Sequence, residues 1–403
     1  MSTTVVIGGS FAGLTGALEA KRKLGDGHEV ILISRTDQFV YIPSLIWVPF
    51  GWRQISDISM PIKPVLDKHG VTFIQAEVNR VDPEANRVIT SDGEYNYDYL
   101  LVASGVTTRF DLVEGLGPDR NTYSVCTPGH AEHARDGWEK LIKDPGPVVI
   151  GATQGASCMG AGYEFLFNLE YAARKAGVRD RVDITWITPE PFLGHFGIDG
   201  MTGGEQMLKG FMKAFNIKYV LNSEVEEITG NEIVLKKGGK RLPYKYAMII
   251  PPFNGARYVR ESGGLGDEKG FIPVDDTYRH QKYPNIFAAG LAVAVPPPFE
   301  TPVPLGVPKT GFPSEESARI AAHNIARLIR GVPDSGLKAK PWGKIPGLCV
   351  MDAGRKEVVI ISSSLLKPRR FALMLPNPLA NVVKRLLERY FLWKTRKGLS
   401  YLA

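Results

Sequence analysis

The chain has 403 residues, 44% of them hydrophobic and 23% charged, with a formal net charge of +7. That length exceeds one ordinary core and predicts two or three domains, with room for a large ligand between them. The composition argues against disorder, the lack of a low-complexity tract or solenoid-spaced repeat against a repeat architecture, and the odd count of three cysteines against a disulfide scaffold.

The N-terminus, MSTTVVIGG, runs straight into a strand without the features of a Sec-type signal. The run TTVVIGGSFAGLTGALEAKRKL reads as strand, glycine turn and helix, and HEVILIS at 28–34 as the next strand, so the chain opens with a βαβ unit. Glycines in such a turn let the backbone approach a pyrophosphate lying on the helix N-terminus. The turn carries Gly8, Ser10 and Gly13, with Ser10 in place of the usual middle glycine. Where an acidic residue is expected at the end of the second strand stand Ser34 and Arg35, so the ribose contact falls to a hydroxyl or the backbone.

YDYLLVASG at 97–105 is a strand closing on a turn at Ala103 and Gly105, and NIFAAGLA at 285–292 is another, turning at Gly290. With the first turn they describe one FAD site. Between them PVVIGATQGASCMGAGYEFLF at 147–167 begins a second strand–turn–helix unit. Its fingerprint is degraded: Gly151 and Gly155 are followed by Ala156 and then Cys158, which argues against NADH as electron donor. The proline-rich VPPPFETPVPLGVP at 295–308 reads as a stiff linker or as a wall between flavin and lipid.

From about residue 335 the pattern changes to short strands and then to the helical PLANVVKRLLERYFLWKTRK. Leu379, Val382, Val383, Leu386, Leu387, Tyr390, Phe391 and Trp393 make an apolar face, which suits either a monotopic anchor or a helix packed on its own core. Lys367, Arg369, Arg370, Lys384, Arg385, Arg389, Lys394, Arg396 and Lys397 cluster in the same region. Without a nucleic-acid-binding signature, that cluster points to an anionic lipid surface rather than to nucleic acid. No stretch reaches the roughly 20 apolar residues of a spanning helix. The fold class is therefore α/β: two Rossmann-like dinucleotide-binding domains plus a C-terminal amphipathic membrane-docking segment. The expected boundaries are 1–110 for the first part of the FAD domain, 111–267 for the second domain, 268–334 for the return and 335–403 for the docking region.

Cys126, Cys158 and Cys349 lie far apart without C-x-x-C spacing, so no zinc or iron–sulfur site is expected. Inert packing is the ordinary reading of each. Cys158, however, sits in the turn where a second cofactor would bind, and Cys349 follows Leu348 as the C-terminal segment begins. A cysteine pair beside a flavin accepts a sulfur nucleophile and relays two electrons.

The segments GHEVILIS, CTPGHAEHA, PGPVVIGATQGASCMG, EPFLGHFG, NIFAAGLAVAVPP, TPVPLGVPKTG and RYFLWK, in this order along nearly the whole chain, resemble bacterial sulfide:quinone oxidoreductases. The resemblance implies an FAD enzyme in which Cys158 and Cys349 form the redox pair, bridged by growing sulfur, with Cys349 nearer the flavin. It makes Cys126 a third essential cysteine, one that is tethered to the flavin in some relatives. His130, four residues after Cys126 and on its helical face if that stretch is a helix, His195 in GHFG and Glu164 are candidates for proton handling, each with a structural alternative. Lys309 in PKTG would place positive charge near the reduced flavin, while Tyr390 and Phe391 would line a quinone ring with Leu348 at its border. Implied partners are sulfide and a membrane quinone, with peripheral attachment to the cell membrane. Relatives continue past RYFLWK, so a chain ending at Ala403 is expected to attach more weakly or to rely on a homo-oligomer. The competing readings are a type II NADH:quinone oxidoreductase, the flavin subunit of a flavocytochrome sulfide dehydrogenase, and a non-catalytic flavin redox sensor.

Overall fold

The computed structural model describes residues 1–354, 357–377 and 380–402. Leu379 and Ala403 lie outside the described residues. Strand β1 (Thr3–Ile7) leads through the glycine turn into helix α1 (Phe11–Leu24), and β2 (Glu29–Ser34) returns beside it. Strands β3 (Thr72–Gln75) and β4 (Tyr99–Val102) extend the same sheet. The β1 side chains from Thr4 to Ile7 are buried on both faces, which is why the strand is a continuous apolar, β-branched run rather than an alternating one.

Helix α2 (Pro128–Lys143) leads to the second unit, in which β5 (Val148–Ala152), helix α3 (Met159–Lys175), β6 (Ile184–Ile187), β7 (Lys218–Val220) and β8 (Tyr246–Ile250) form an all-parallel sheet in the order β7-β6-β5-β8. Strand β9 (Ile286–Ala288) then pairs with β4, giving the first sheet the order β9-β4-β1-β2-β3, again all parallel. The chain thus leaves the first sheet, builds a second and returns. Helix α4 (Gly311–Ile329) follows and packs on α1, with Ala318 Cβ close to Gly16.

Beyond it, β10 (Gly347–Met351), β11 (Glu357–Ser362) and β12 (Ala372–Asn377) form an antiparallel meander, and helix α5 (Ala380–Lys397) closes the chain against both Rossmann units. No helix among the described residues is long and apolar enough to cross a membrane.

Helix α5 does not carry one apolar face. Val382, Leu386 and Trp393 are exposed, Val383 and Leu387 are half-buried, and Phe391 packs inward. One side of the helix thus packs on the protein's own core, and an exposed apolar strip runs along the opposite side. The basic cluster divides too. Lys384 and Lys394 are buried against Glu164 and Glu315, and Lys367 pairs with Asp199, so these three do not belong to a free cationic surface.

Candidate active site

Close packing shapes the first glycine turn. A Cβ on Gly8, whose φ is +114°, would lie 2.4 Å from the Ala103 carbonyl oxygen, and one on Gly13 would lie 1.8 Å from that of Gly8. Only glycine fits either place. Ser10 caps α1 in extended conformation without a side-chain capping bond, and the first helical turn holds no acidic residue. The N–H groups of that turn therefore face no competing anion from the helix itself. These residues fit a pyrophosphate-bearing flavin. Gly105 and Gly290 turn at the carboxyl ends of β4 and β9 with φ of +75° and +67°. Arg35 is exposed, and the Ser34 hydroxyl donates to the Thr36 carbonyl at 2.9 Å and accepts the Thr36 N–H at 3.4 Å, which leaves one lone pair for a ribose.

Lys309 is no ordinary surface lysine. Its ammonium donates to the carbonyls of Leu291 (3.2 Å) and Val293 (2.6 Å) and sits over the Phe271 ring. Burial drags its pKa down to about 7.

Cys158 is the N-cap of α3. A helix N-terminus favours the thiolate, but burial outweighs it and pushes the thiol up to about 12, with Cys126 and Cys349 near enough to add to the rise. Burial likewise holds Cys126 and Cys349 at about 11. Cys349 adds the repulsion of Glu164, opposed by Lys384. All three are free thiols. Cys349 and Leu348 are nevertheless accessible, Leu348 at 47%.

Behind Cys349 lies a charge network that the sequence did not reveal. Glu164 Oε1 accepts the Asp352 amide at 2.8 Å and the Lys384 ammonium. The Trp47 indole donates to Asp352 at 2.9 Å, and Lys384 sits 4.9 Å from the centre of the Trp47 ring. Burial lifts the Glu164 carboxyl to about 7 against the pull of Lys384. Tyr41 stands between this group and Phe391, at 5.5 Å from the Phe391 ring. Phe391 also meets Phe11, the first residue of α1, at 6.1 Å. Tyr390 lies 5.9 Å from Phe391 and 6.1 Å from Trp393, and the Lys394 ammonium sits over both the Tyr390 and the Phe391 rings, at 5.7 and 4.1 Å.

The histidines stand apart. Cys126 precedes α2, so it shares no helical face with His130. The His130 amide is bound by the Thr127 hydroxyl at 3.2 Å, and its ring meets Phe110. His195, 2% exposed, lies between Phe192 and Phe299 with Nε2 at 3.9 Å from Asp199. Burial lowers the pKa of both rings. Among the described residues neither ring hydrogen-bonds a cysteine.

The proline-rich segment is not a free linker. The Gly155 N–H donates to the Pro304 carbonyl at 2.6 Å, and the Gly306 N–H to Ala156 at 3.0 Å. A Cβ on Gly306 would lie 2.7 Å from that of Ser157, and one on Gly197 would lie 2.1 Å from the Gly306 carbonyl. This loop sits on the second glycine turn and against the GHFG turn.

Two parallel sheets, one interrupted by the other and each led by a glycine turn, define a two-domain dinucleotide-binding oxidoreductase. A sequence profile of the pyridine nucleotide-disulphide oxidoreductases matches residues 2–303. The chain is 34% identical over 400 residues to the sulfide-quinone reductase of Aquifex aeolicus, spanning 98% of this chain and 91% of that one. The crystal structure of the sulfide:quinone oxidoreductase from that bacterium superposes with a TM-score of 0.94 over 99% of this chain and 92% of the other. NDH2 of Plasmodium falciparum, 14% identical with a TM-score of 0.72 over 98% and 96%, shares the fold. The chain belongs to the pyridine nucleotide-disulphide oxidoreductase family and, within it, to the sulfide-quinone reductases.

Proposed function

We propose that this chain oxidises sulfide through Cys158 and Cys349 and passes the electrons, by way of FAD, to a membrane quinone. The observation that carries the reading is the gathering of three cysteines beside a second glycine turn whose Gly155 N–H is already taken by Pro304. Gly8, Gly13, Ser34, Gly105 and Gly290 hold the flavin, which when bound accepts two electrons from the sulfur centre and yields them to quinone.

In the oxidised pair HS⁻ attacks the sulfur bridge at Cys158. One S–S bond forms, one breaks, and the products are a persulfide on Cys158 and a thiolate on Cys349. Loss of two electrons and a proton re-forms the bridge, one sulfur longer. Lys384 offsets charge near Cys349, and Glu164, poised near neutrality, takes up or releases the proton. Phe391, Tyr41 and Leu348 form the apolar boundary through which the quinone ring reaches the flavin. His130, half-buried, and His195, buried, orient the turns that carry Cys126 and the GHFG loop.

The reading as a type II NADH:quinone oxidoreductase shares this fold, but a nucleotide pyrophosphate would have to displace Pro304. Attachment to the membrane is peripheral, through the exposed Val382, Leu386 and Trp393 of α5 and Phe371, Leu373 and Leu375 of the meander. Acid denaturation, which frees a non-covalent flavin and retains one tethered to Cys126, distinguishes the two attachments.

The test is anaerobic mixing with sulfide and, separately, with NADH, followed by a soluble quinone analogue. Sulfide bleaches the flavin absorbance, NADH does not, quinone restores it, and Cys158→Ser or Cys349→Ser abolishes the sulfide response. Rapid bleaching by NADH with indifference to sulfide would refute the proposal.

A further inference from the structure

Helix α5 carries a second stripe beside its exposed apolar one. Arg385, Arg389 and Arg396 recur at helical spacing and are exposed, and with Arg53 they line a cleft of about 490 Å³ that also includes Asp57 and Glu388. The two carboxylates do not neutralise it equally. Glu388 is buried and already engaged, taking the Arg53 guanidinium at 3.0 Å on both oxygens and the Ser44 hydroxyl at 2.6 Å. Asp57 accepts the Gln54 amide at 2.8 Å. Among the described residues no carboxylate forms an ion pair with Arg385, Arg389 or Arg396, so the cleft holds a surplus of guanidinium donors in a fork geometry that matches phosphate oxygens.

Location selects among phosphate-bearing ligands. On a helix with 3.6 residues per turn, Val382, Leu386 and Trp393 lie within a quarter turn of the arginine stripe. They are 54%, 56% and 47% exposed. A phosphate held by the arginines therefore has an apolar strip alongside it, which a soluble phosphate would leave in water and an acyl chain would cover.

We propose that the Arg53–Arg385–Arg389–Arg396 cleft binds the phosphate headgroup of an anionic membrane lipid, with the acyl chains lying along Val382, Leu386 and Trp393. This rests on the peripheral-attachment reading above. It goes beyond it by making attachment selective for lipid charge, through a defined pocket.

The experiment is co-sedimentation of the full-length flavin-loaded protein with vesicles of phosphatidylcholine alone and with vesicles in which about a third of the lipid is phosphatidylglycerol. The wild type partitions more strongly to the anionic vesicles. At about fivefold per basic residue at a membrane surface, Arg385→Gln/Arg389→Gln loses about 25-fold of that binding while its binding to neutral vesicles and its sulfide-dependent bleaching are unchanged. Leu386→Ser/Trp393→Ser weakens binding to both kinds. Equal wild-type binding to the two vesicle types, or a double arginine variant that keeps the preference, overturns the cleft while leaving peripheral attachment standing. Binding to neither overturns both. An equal rise in melting temperature with inorganic phosphate alone, at matched ionic strength, would identify a soluble-phosphate site and overturn the lipid assignment.

Discussion

Burial raises the thiol pKa of Cys126 and Cys349 to about 11 and that of Cys158 to about 12, which favours the protonated thiol at neutral pH. In the proposed cycle this makes sulfide itself the first nucleophile, with the protein thiols acting after a bond to sulfur has been made. Alkylation of the reduced protein by iodoacetamide, followed by mass spectrometry, should quicken about tenfold per pH unit from about pH 7 to about pH 10 without a plateau. Levelling below about pH 9 would mean an activated thiolate and would remove the argument. The roles of Gly8 and Gly13 were legible in the sequence because a Cβ clash is local and no other residue solves it. Lys384 was not legible. Its partner Glu164 lies 220 residues away, and a helical wheel does not distinguish a lysine facing the core from one facing lipid.

At the scale of elements, α5 is tied to α3 by the Glu164–Lys384 pair, both residues under 10% exposed. Removing one partner of a buried pair costs about 3–5 kcal/mol because the other is left uncompensated. The two single variants differ in kind. Glu164→Gln strands an ammonium, and the loss appears at every pH near neutrality. Lys384→Met strands a carboxyl whose folded pKa already lies above its unfolded value, so the folded chain holds the extra proton and stability falls as pH rises through that window. Urea unfolding from about pH 5 to about pH 8 should show Lys384→Met declining more steeply than wild type. The double variant Glu164→Gln/Lys384→Met should recover most of the single losses, and additive losses would contradict the pairing. The parallel strands and their turns could be read from the sequence, since periodicity and glycine placement are short-range. That the apolar residues of α5 divide between core and surface could not be, because the division is set by what packs against each side.

For the whole molecule, α5 is part of the folded body, whatever it does at a membrane under the proposed attachment. Truncation after Asn377 strips the buried Glu164 and Glu315 of their cations and takes Glu388 from the half-buried Arg53. Two buried groups left unpaired at about 3–5 kcal/mol each rival the 5–15 kcal/mol stability of a typical domain. The truncated chain should melt far below the full chain and lose its flavin, as thermal scans and limited proteolysis would report. A soluble truncated form with unchanged melting would show that the helix is only an anchor. The two-sheet plan and the return of β9 to the first sheet followed from three glycine turns in the sequence, whereas the seating of residues 301–308 on the second turn did not, since a proline-rich run carries no address.

That seating makes the loop a built-in competitor for the second turn. Its Pro304 carbonyl occupies the Gly155 N–H as a tethered ligand, and a short tether keeps such a ligand at an effective concentration in the millimolar range. A dinucleotide arriving from solution must outcompete an occupant that never diffuses away, so NADH should bleach the flavin far more slowly than sulfide does.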